Sequence, residues 1–431
     1  MVFDMANLPE DWQVKPIREA YTFTKKPRGL TIKADGPVPY LPMDLIPIGR
    51  VCVSNFEERL GSALTSGTYI ENGDLLVAKI TPSFENGKQA VVDWEKPFGF
   101  ATTEVIPIQE VEGLSDKFFL FHLLLHPEIR SDLAGRMDGT TGRQRLSKDV
   151  LGNLLIPLPT LPEQRNIAAV LGLVQWAMEE QERLLVLTTE LKKTLLHKLF
   201  TEGLRGEPQK QTEIGPVPQS WVQRPLEQAG DVVYGIQAAV ASNVKPIGTK
   251  ILTNKNITLD GRIILEAINY FVLKTPRHHA TVLKKGDLLF NWRSGSKEHV
   301  GKTAYFDLDG EFTHSSFILR IRPHDKVSGR YLFYYLNFLR ESGYFVKAQS
   351  FSVNAKFNKS AINRLPTYLP KEDERQEIVM ALDAVSSKLK ILQAKHATLT
   401  VLFRTLLHQL MTSQIRVHNL DLSNGEADKT E

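Results

Sequence analysis

The feature of this sequence that most limits its fold is an internal repeat at a long period. LPEDWQVKPIREA matches VPQSWVQRPLEQA, which pairs Trp12 with Trp221, and the tetrapeptide GDLL recurs around Asp74 and Asp287. Further along, EQRNIAAVL matches ERQEIVMAL, and TLLHKL matches TLLHQL. A chain that contains one long segment twice is expected to fold into two similar units.

The separation between matching residues changes along the repeat. It is 209 residues at the tryptophans and 213 at the GDLL aspartates, and it is 211 from Glu163 and Glu374 through Leu199 and Leu410. Surface loops absorb insertions, whereas a long helix that packs in register does not. Each repeat is therefore expected to be a globular half of variable length followed by a helix of fixed length.

Leucine-rich stretches in both repeats follow the spacing of a coiled coil. His396 interrupts the second stretch, and Gln181, Thr188 and Lys192 break the first. The pattern predicts two long helices that pair as an antiparallel coiled coil with a pseudo-two-fold axis. The predicted seam comprises Ile167, Leu171, Val174, Met178, Leu185, Leu195, Leu199, Ile378, Leu382, Val385, Leu389, Leu392, Leu399, Phe403, Leu406 and Leu410.

The globular halves combine strand and helix patterns. GDLLVAKI, QAVVDW and TEVIPI predict strands in the first half, as do KGDLLFNW, KTAYFDL and SSFILRIR in the second. KFFLFHLLLHPEIRSDLA and RYLFYYLNFLRESG predict one helix each, so the fold class is mixed α/β (α+β). The predicted boundaries are a globular domain over 1–159, a long helix over 160–203, a linker over 204–217, a second globular domain over 218–369, a long helix over 370–415 and a disordered tail over 416–431.

Composition and missing motifs exclude several classes of protein. The net charge of +4 permits DNA binding without requiring it, and one cysteine, Cys52, excludes a disulfide framework. The sequence lacks an apolar run of about 18 residues and a secretory leader, so we expect a cytoplasmic protein without a membrane partner. H-E-x-x-H, Walker A, G-x-G-x-x-G and G-x-S-x-G motifs are absent. We therefore expect no metal, no cofactor and no catalytic residue in this chain.

The order of the repeated motifs resembles that of a known family. A P-x-x-W opening, a GDLL strand, an LP…EQR…I…L helix start and a leucine-rich helix ending in TLLHKL are similar to those of type I restriction–modification specificity subunits. The resemblance covers nearly the whole chain in both repeats. The second helix departs mildly from the pattern, since it begins KEDERQEI around Arg375.

The resemblance implies a function and a set of partners. Each globular half would be a target-recognition domain that reads one half of a bipartite site on double-stranded DNA. The chain itself would lack catalytic activity. It would recruit two methylation subunits, which use S-adenosylmethionine to methylate adenine, and restriction subunits, which use ATP and Mg to cleave unmodified DNA.

The predicted helix pair also has a suitable length for spacing two DNA-binding domains. From Ile167 to Leu199 a helix extends about 48 Å at about 1.5 Å per residue. Successive major-groove faces of a duplex lie about 34–36 Å apart. The pair is thus long enough to hold two domains about one turn apart. Because the two halves differ in sequence, we expect an asymmetric target.

Basic and polar loops supply the candidate DNA contacts. Arginine specifies guanine, asparagine and glutamine specify adenine, and lysine mainly contacts phosphate. Arg143, Arg145 and Arg293 are favoured because nearby glycines let the backbone approach a groove, whereas a solvated role stays open for each lysine and a core role for Trp292. The candidates are Lys79, Lys88, Arg143, Gln144, Arg145, Lys148, Trp292, Arg293, Ser294, Lys297, Lys302, Asn354, Lys356 and Lys359.

Two other functions remain open at this point. The chain could be a stand-alone DNA-binding regulator with the same two domains, or an enzyme whose site is assembled from scattered residues. Leucine-rich helices fit both a regulator and a subunit, so association with a partner discriminates between them. Surplus apolar residues on the first helix, Trp176, Leu184 and Leu187, are candidates for docking partner helices.

Overall fold

The chain divides into two compact units. The computed structural model describes residues 8–140, 142–237, 247–350 and 357–418. Of these residues, the first unit takes in 8–140, 142–185 and 392–418, and the second takes in 186–237, 247–350 and 357–391. This division differs from the predicted domain boundaries, because each long helix contributes one part to each unit.

The first unit contains three sheets. A five-stranded sheet has the order β2-β10-β7-β8-β4, a four-stranded sheet has the order β5-β3-β9-β6, and β1 pairs with β11. The strands are β1 (Gln13–Pro16), β2 (Tyr21–Phe23), β3 (Pro37–Leu41), β4 (Cys52–Val53), β5 (Glu57–Leu60), β6 (Thr68–Glu71), β7 (Leu75–Ala78), β8 (Gln89–Val92), β9 (Phe98–Ala101), β10 (Val105–Glu110) and β11 (Leu155–Leu158). The helices are α1 (Ile17–Ala20), α2 (Lys117–Leu123), α3 (Pro127–Gly135), α4 (Lys148–Gly152) and the start of α5 (Leu161–Glu202).

The second unit repeats the main sheet. The order β15-β21-β18-β19 corresponds to β2-β10-β7-β8, and the pair β14-β22 corresponds to β1-β11; β17-β16-β20 and β12-β13 complete the unit. The strands are β12 (Gln209–Thr212), β13 (Gly215–Pro218), β14 (Val222–Pro225), β15 (Gly230–Tyr234), β16 (Thr249–Leu252), β17 (Asn269–Phe271), β18 (Leu288–Asn291), β19 (Thr303–Tyr305), β20 (Phe312–His314), β21 (Ile318–Pro323) and β22 (Pro366–Leu369). The helices are α6 (Pro276–His279), α7 (Lys326–Glu341), α8 (Tyr344–Ser350), α9 (Lys359–Asn363) and α10 (Glu372–Met411). The predicted mixed α/β fold class is confirmed.

The GDLL motif begins a central strand in each main sheet. In β7, Leu75 and Val77 belong to the apolar core beneath the helices, whereas Leu76 belongs to a second core on the other face. In β18, Leu288 and Leu289 divide between two cores in the same way. Side chains alternate between the faces of a strand, so an unbroken apolar run marks a strand that is covered on both sides.

Two predicted elements differ in the structure. The helix expected over 117–134 is divided into α2 and α3, because Pro127 occupies the first turn of α3 and has no amide hydrogen to continue α2. The expected linker over 204–217 contains β12 and most of β13, which pair as an antiparallel hairpin. Val217 of that hairpin is buried in the same core as Trp221.

The two long helices run in opposite directions within each unit. In the first unit Glu182 contacts His396 at 3.1 Å, and the side chain of Asn166 donates to the carbonyl of Val417. In the second unit the amide of Leu204 donates to Glu374. Ile167, Leu171, Leu199, Ile378, Leu382, Leu392 and Leu410 of the predicted seam are buried, and the remaining seam residues are half-buried. Antiparallel pairing is therefore found, while coiled-coil packing stays a prediction.

A buried carboxylate joins three distant parts of the first unit. Glu163 is fully buried at the start of α5, where it accepts a hydrogen bond from the indole of Trp12 at 2.9 Å. Arg416 donates to both of its oxygens at 2.6 and 2.7 Å and also contacts Asp11. These carboxylates raise the pKa of Arg416, and the arginine lowers the pKa of Asp11.

This arrangement corrects the predicted tail. Arg416 forms the ion pairs with Glu163 and Asp11, and Val417 is buried in the core of the first unit. Disorder predicted from 416 onward is therefore wrong for these two residues, since burial and ion pairing order the chain through them. The part of the prediction that covers 419–431 lies outside the described residues.

The corresponding place in the second unit uses weaker contacts. Arg205, which is 211 residues before Arg416, lies 3.8 Å from Asp373, and both side chains are 65% exposed. Glu374 accepts instead from the backbone of Leu204. Because exposed ion pairs contribute little to stability, of these two ion pairs only that of Arg416 with Glu163 is expected to affect the free energy of unfolding.

We predict that Arg416→Ala lowers the free energy of unfolding by about 3 kcal/mol, because it leaves the Glu163 carboxylate buried without its cation. Arg205→Ala is the matched control and should change that energy by less than about 0.5 kcal/mol. Urea titration followed by tryptophan fluorescence measures both. Equal effects of the two substitutions would contradict this account.

The two GDLL aspartates are stabilised differently. Asp74 is fully buried and accepts from the amide of Glu71 and the hydroxyl of Thr24, both at 2.8 Å. Burial raises its pKa to about 6. Asp287 is equally buried but accepts two hydrogen bonds at 2.7 Å from Arg322. Thus one carboxylate has neutral partners and the other has a cation.

We predict opposite effects of the same substitution at these two positions. The folded-state pKa of Asp74 lies above its ordinary value near 3.8, so its ionisation destabilises the fold as pH rises from about 4 to about 6. Asp74→Asn should therefore raise the free energy of unfolding at pH 8 by up to about 3 kcal/mol, and by little at pH 4. Asp287→Asn should lower it by about 3 kcal/mol at pH 8, because Arg322 loses its partner. Urea titrations at both pH values test this, and a loss at pH 8 for Asp74→Asn would be the contrary result.

Candidate nucleic-acid interface

A cleft of about 500 Å³ opens in the first unit, where β2 and β7 end and β10 begins. Three residues predicted to bind DNA, Lys79, Arg145 and Lys148, line it together. The sequence places them on separate segments, and the sheet brings those segments to one edge. The other lining residues are Thr24, Thr68, Val105, Ile106, Pro107, Asp138, Leu146 and Ser147.

Arg145 is fixed at both its backbone and its side chain. Its amide donates to the carbonyl of Asp138 at 2.8 Å, and the Asp138 amide donates back at 3.1 Å. Its guanidinium donates to both carboxylate oxygens of Glu104, from Nε at 3.0 Å and from Nη2 at 2.9 Å. The ion pair lowers the pKa of Glu104 and raises the pKa of Arg145.

Glu104 was not among the predicted site residues. No motif surrounds it, and it lies 41 residues before its partner in the chain. The one sequence signal is its place directly before β10, next to Lys79 across the sheet, where the amide of Lys79 donates to its carbonyl at 2.9 Å. Finding it from sequence would have required the strand pairing.

A glycine-containing turn precedes Arg145. Gly139 has φ of +134°, and a Cβ at that position would lie 2.7 Å from the carbonyl oxygen of Arg143. Only glycine accommodates both the conformation and this approach. Arg143 is exposed at the turn and Gln144 is half-buried, so the turn presents the Arg143 side chain to solvent.

The two other lysines of the first unit that were predicted to contact DNA, Lys148 and Lys88, differ in their exposure to solvent. Lys148 is exposed, and its Nζ lies 4.7 Å from the ring centre of Phe23. Partial burial and the neighbouring Lys25 lower its pKa. Lys88 is half-buried, does not line the cleft, and donates to the carbonyl of Met43 at 2.7 Å. Lys148 is therefore the better candidate for a phosphate contact.

The same place in the second unit has different chemistry. Trp292 and Phe317 stand 213 residues after Lys79 and Glu104, and the amide of Trp292 donates to the carbonyl of Phe317 as the corresponding first-unit amide does. The Trp292 indole donates to the carbonyl of Ser316 at 2.8 Å. Two charged side chains in one unit, those of Lys79 and Glu104, are thus replaced by two aromatic side chains in the other.

The aromatic site carries an exposed arginine. The Arg293 guanidinium lies 5.7 Å from the ring centre of Phe317, which is 41% exposed. Trp292 is half-buried, and its ring makes an edge contact with Tyr234 at 5.7 Å between ring centres. The Trp292 indole therefore packs against Tyr234 and also forms part of the surface of this site. The Arg293 side chain is exposed to solvent.

The remaining candidates of the second unit fall into separate classes. Lys297 and Lys359 are exposed, and the amide of Lys359 donates to the hydroxyl of Tyr234. Ser294 is half-buried and accepts from the amide of Ser296. Asn354 and Lys356 lie outside the described residues.

Lys302 is a correction. It is 4% exposed, and its Nζ donates to the carbonyls of Asn254 at 2.9 Å and Ile257 at 2.7 Å. Burial lowers its pKa. Because the Lys302 ammonium is buried and already donates to two backbone carbonyls, the prediction that Lys302 contacts DNA is wrong. Its basic, glycine-rich surroundings did not reveal that the lysine side chain points inward.

The described part of the chain offers no grouping of three or more His, Cys, Asp or Glu side chains suited to a metal ion. Within the same residues, no helix combines the length and the apolar character needed to cross a membrane. The convergent charged and aromatic side chains at the two equivalent sites are therefore the features on which a candidate function rests.

Comparison with known proteins agrees with the motif order. Residues 227–401 match the family model of the type I restriction modification DNA specificity domain. Over 430 residues the chain is 24% identical to the type I restriction enzyme MjaVIII specificity subunit of Methanocaldococcus jannaschii, covering 96% of this chain and 95% of that protein. Over nearly its whole length the chain is similar to type I restriction–modification specificity subunits.

Solved structures of the family share the fold. The S subunit of a type I system from M. genitalium aligns with a TM-score of 0.60 at 14% identity, covering 93% of this chain and 96% of that one. A chain from a structure on complex assembly of the type I R-M system aligns with a TM-score of 0.55 at 20% identity, covering 95% of this chain and all of that one. The comparisons support a specificity subunit, and they do not support the stand-alone regulator.

We predict that Lys302→Met lowers the free energy of unfolding by about 2 kcal/mol, because the buried carbonyl of Ile257 and the half-buried carbonyl of Asn254 lose their donor. The salt dependence of DNA binding should stay unchanged, since no phosphate contact is removed. Lys297→Met, which alters an exposed lysine of the same loop, should leave stability within about 0.5 kcal/mol. Urea unfolding and binding titrations over a range of salt concentrations test the pair, and an unaltered unfolding midpoint for Lys302→Met would contradict the structural role.

Proposed function

We propose that this specificity subunit binds an asymmetric, bipartite DNA target, and that each unit contacts one half-site through its equivalent site. In the first unit the site is the cleft that contains Lys79, Arg145 and Lys148. In the second unit it is the surface around Trp292 and Arg293. Lysines would contact phosphates, and arginines would contact base edges.

The observation that carries this proposal is the contrast between the two sites. One backbone hydrogen bond between neighbouring strands occurs in both units, yet it joins Lys79 to Glu104 in the first and Trp292 to Phe317 in the second. A conserved frame that holds different side chains suits two domains that recognise different sequences. Two half-sites of the same DNA sequence would instead favour the same side chains in both units.

The long helices supply a surface for protein partners. In the first unit Leu173 and Trp176 of α5 are each more than half exposed and lie three residues apart on one helix face. In the second unit Leu187 and Leu191 of α5 are likewise more than half exposed and lie four residues apart on one face. An exposed apolar stripe on a helix is typical of a docking surface. We expect methylation subunits to bind there, and the number of two per specificity subunit follows from the family resemblance.

Catalysis belongs to the partners in this proposal. The methylation subunits would bind S-adenosylmethionine and transfer its methyl group to adenine, and the restriction subunits would use ATP and Mg to cleave DNA. This chain would hold no cofactor and would determine only which sequence the assembly modifies. Methyl transfer or cleavage by the isolated chain would refute this division of labour.

Mapping methylated adenines tests the proposal directly. Co-expression with the methylation subunit from the same locus should yield a complex that modifies one asymmetric bipartite sequence. Arg293→Ala should relax the base preference of one half-site by about 5- to 150-fold at one position and leave the other half-site unchanged. Arg262→Ala, which alters an exposed arginine paired with Asp260 elsewhere in the second unit, should have no effect. Equal loss at both half-sites would contradict the assignment of one half-site to each unit.

A further inference from the structure

The ion pair at the edge of the first cleft leaves one edge of a guanidinium free. Glu104 takes the Nε edge of Arg145, using the Nε hydrogen and one hydrogen of Nη2. A guanidinium has five N–H donors. The two hydrogens of Nη1 and the second hydrogen of Nη2 therefore remain, and they point away from the carboxylate. One N–H bond of Nη1 and the remaining N–H bond of Nη2 are parallel to each other. Such a pair of donors matches the two acceptors of guanine, O6 and N7.

The same ion pair limits the movement of the arginine. A free arginine side chain loses rotamer entropy when it is fixed, and the Arg145 guanidinium already makes two hydrogen bonds to Glu104 in the protein without DNA. Its backbone is held from both directions by Asp138. The donor edge is thus oriented before DNA binds, so less ordering is required at binding.

Charge separates Arg145 from the lysines of the cleft. The Glu104 carboxylate neutralises the guanidinium, so Arg145 adds little net charge toward phosphates. Lys79 and Lys148 line the same cleft and have no carboxylate partner among the described ion pairs. The site thus divides into residues suited to phosphate and one arginine suited to hydrogen-bond geometry.

We propose that Arg145 reads a guanine in the half-site of the first unit, and that Glu104 is the positioning residue that orients it. This rests on the proposed function. Arg145 contacts the base, whereas Glu104 acts through Arg145. The second unit has Phe317 in place of Glu104, so its recognition of DNA uses a different arrangement.

The test uses the full chain in complex with its methylation subunit and a set of duplexes in which each position of the mapped target is varied singly. Arg145→Ala should reduce the preference for guanine at one position of one half-site by about 5- to 150-fold. The salt slope should fall by about one, because the substitution leaves the Glu104 carboxylate in the cleft without its cation; the base preference is therefore the deciding result. If Arg145 contacts phosphate instead, the salt dependence falls and every base preference remains, which overturns the proposal.

Glu104→Gln distinguishes a role of Glu104 in positioning Arg145 from a role in stability alone. The substitution releases a positive charge, so binding to a duplex of unrelated sequence should tighten, and the salt slope should steepen by about one. Preference for guanine at the same position should fall several-fold. A loss of affinity for all duplexes alike, with unaltered preference, would assign Glu104 to stability alone and overturn its positioning role.

Two controls complete the experiment. Arg136 forms the same kind of ion pair with Asp132, at 2.8 Å and with nearly the same exposure (52% and 26%, against 51% and 23% for Arg145 and Glu104), but it does not line the cleft. Arg136→Ala and Asp132→Asn should change neither base preference nor salt slope, and an effect equal to that of the cleft variants would refute the role of position.

Lys148→Ala should reduce the salt slope by about one without altering base preference. A loss of base preference in this variant would contradict the division of roles between lysine and arginine. A wild-type complex without any sequence preference would refute the proposed function itself, whereas a wild-type preference that survives Arg145→Ala refutes only this inference.

Discussion

The structure of the first unit depends on one buried carboxylate. Glu163 begins α5, yet its partners come from both distant ends of the described chain: the indole of Trp12 and the guanidinium of Arg416. A buried charge is stable only when it is fully paired. The first unit therefore requires the start of the chain, the central helix and the segment after α10 to meet at one point.

The repeated frame and the variable sites respond to different physical requirements. Apolar side chains that alternate between two cores hold β7 and β18 at the centres of their sheets. Those positions tolerate little change, because packed interiors penalise both cavities and crowding. Residues directly after these strands, Lys79 and Trp292, meet solvent and differ completely. Because the sheet stays the same while the residues at its edge vary, the recognised half-site can change without a change of fold.

Much of the fold was predictable because it depends on local patterns. The ends of α5 and α10 follow from apolar spacing and helix-start signals, and the repeat itself predicted two similar units. The division at Pro127 was missed because apolar spacing continues across it. The order of Arg416 was missed because a polar stretch without periodicity contains no sign of the distant Glu163.

The candidate site was less predictable, since it depends on contacts between distant segments. Loop composition identified Arg145 and Lys148, which the structure places in one cleft. The same criterion wrongly included Lys302, whose inward direction is set by the carbonyls of Asn254 and Ile257. It also omitted Glu104, because a search for basic residues excludes the carboxylate that positions one of them. Direction of a side chain and identity of its partner are tertiary properties, and no window of sequence contains them.

The discontinuous first unit has a consequence for synthesis on the ribosome. Arg416 follows Glu163 by 253 residues, which take about 13–50 s to translate at about 5–20 residues per second. The second unit is one continuous segment, so all of its residues leave the ribosome while the first still lacks part of α10. During that interval Glu163 has no arginine partner, and the apolar face around Ile167 and Leu171 lacks Leu407 and Leu410. The nascent chain is thus most exposed to aggregation and to chaperones before its last segment emerges.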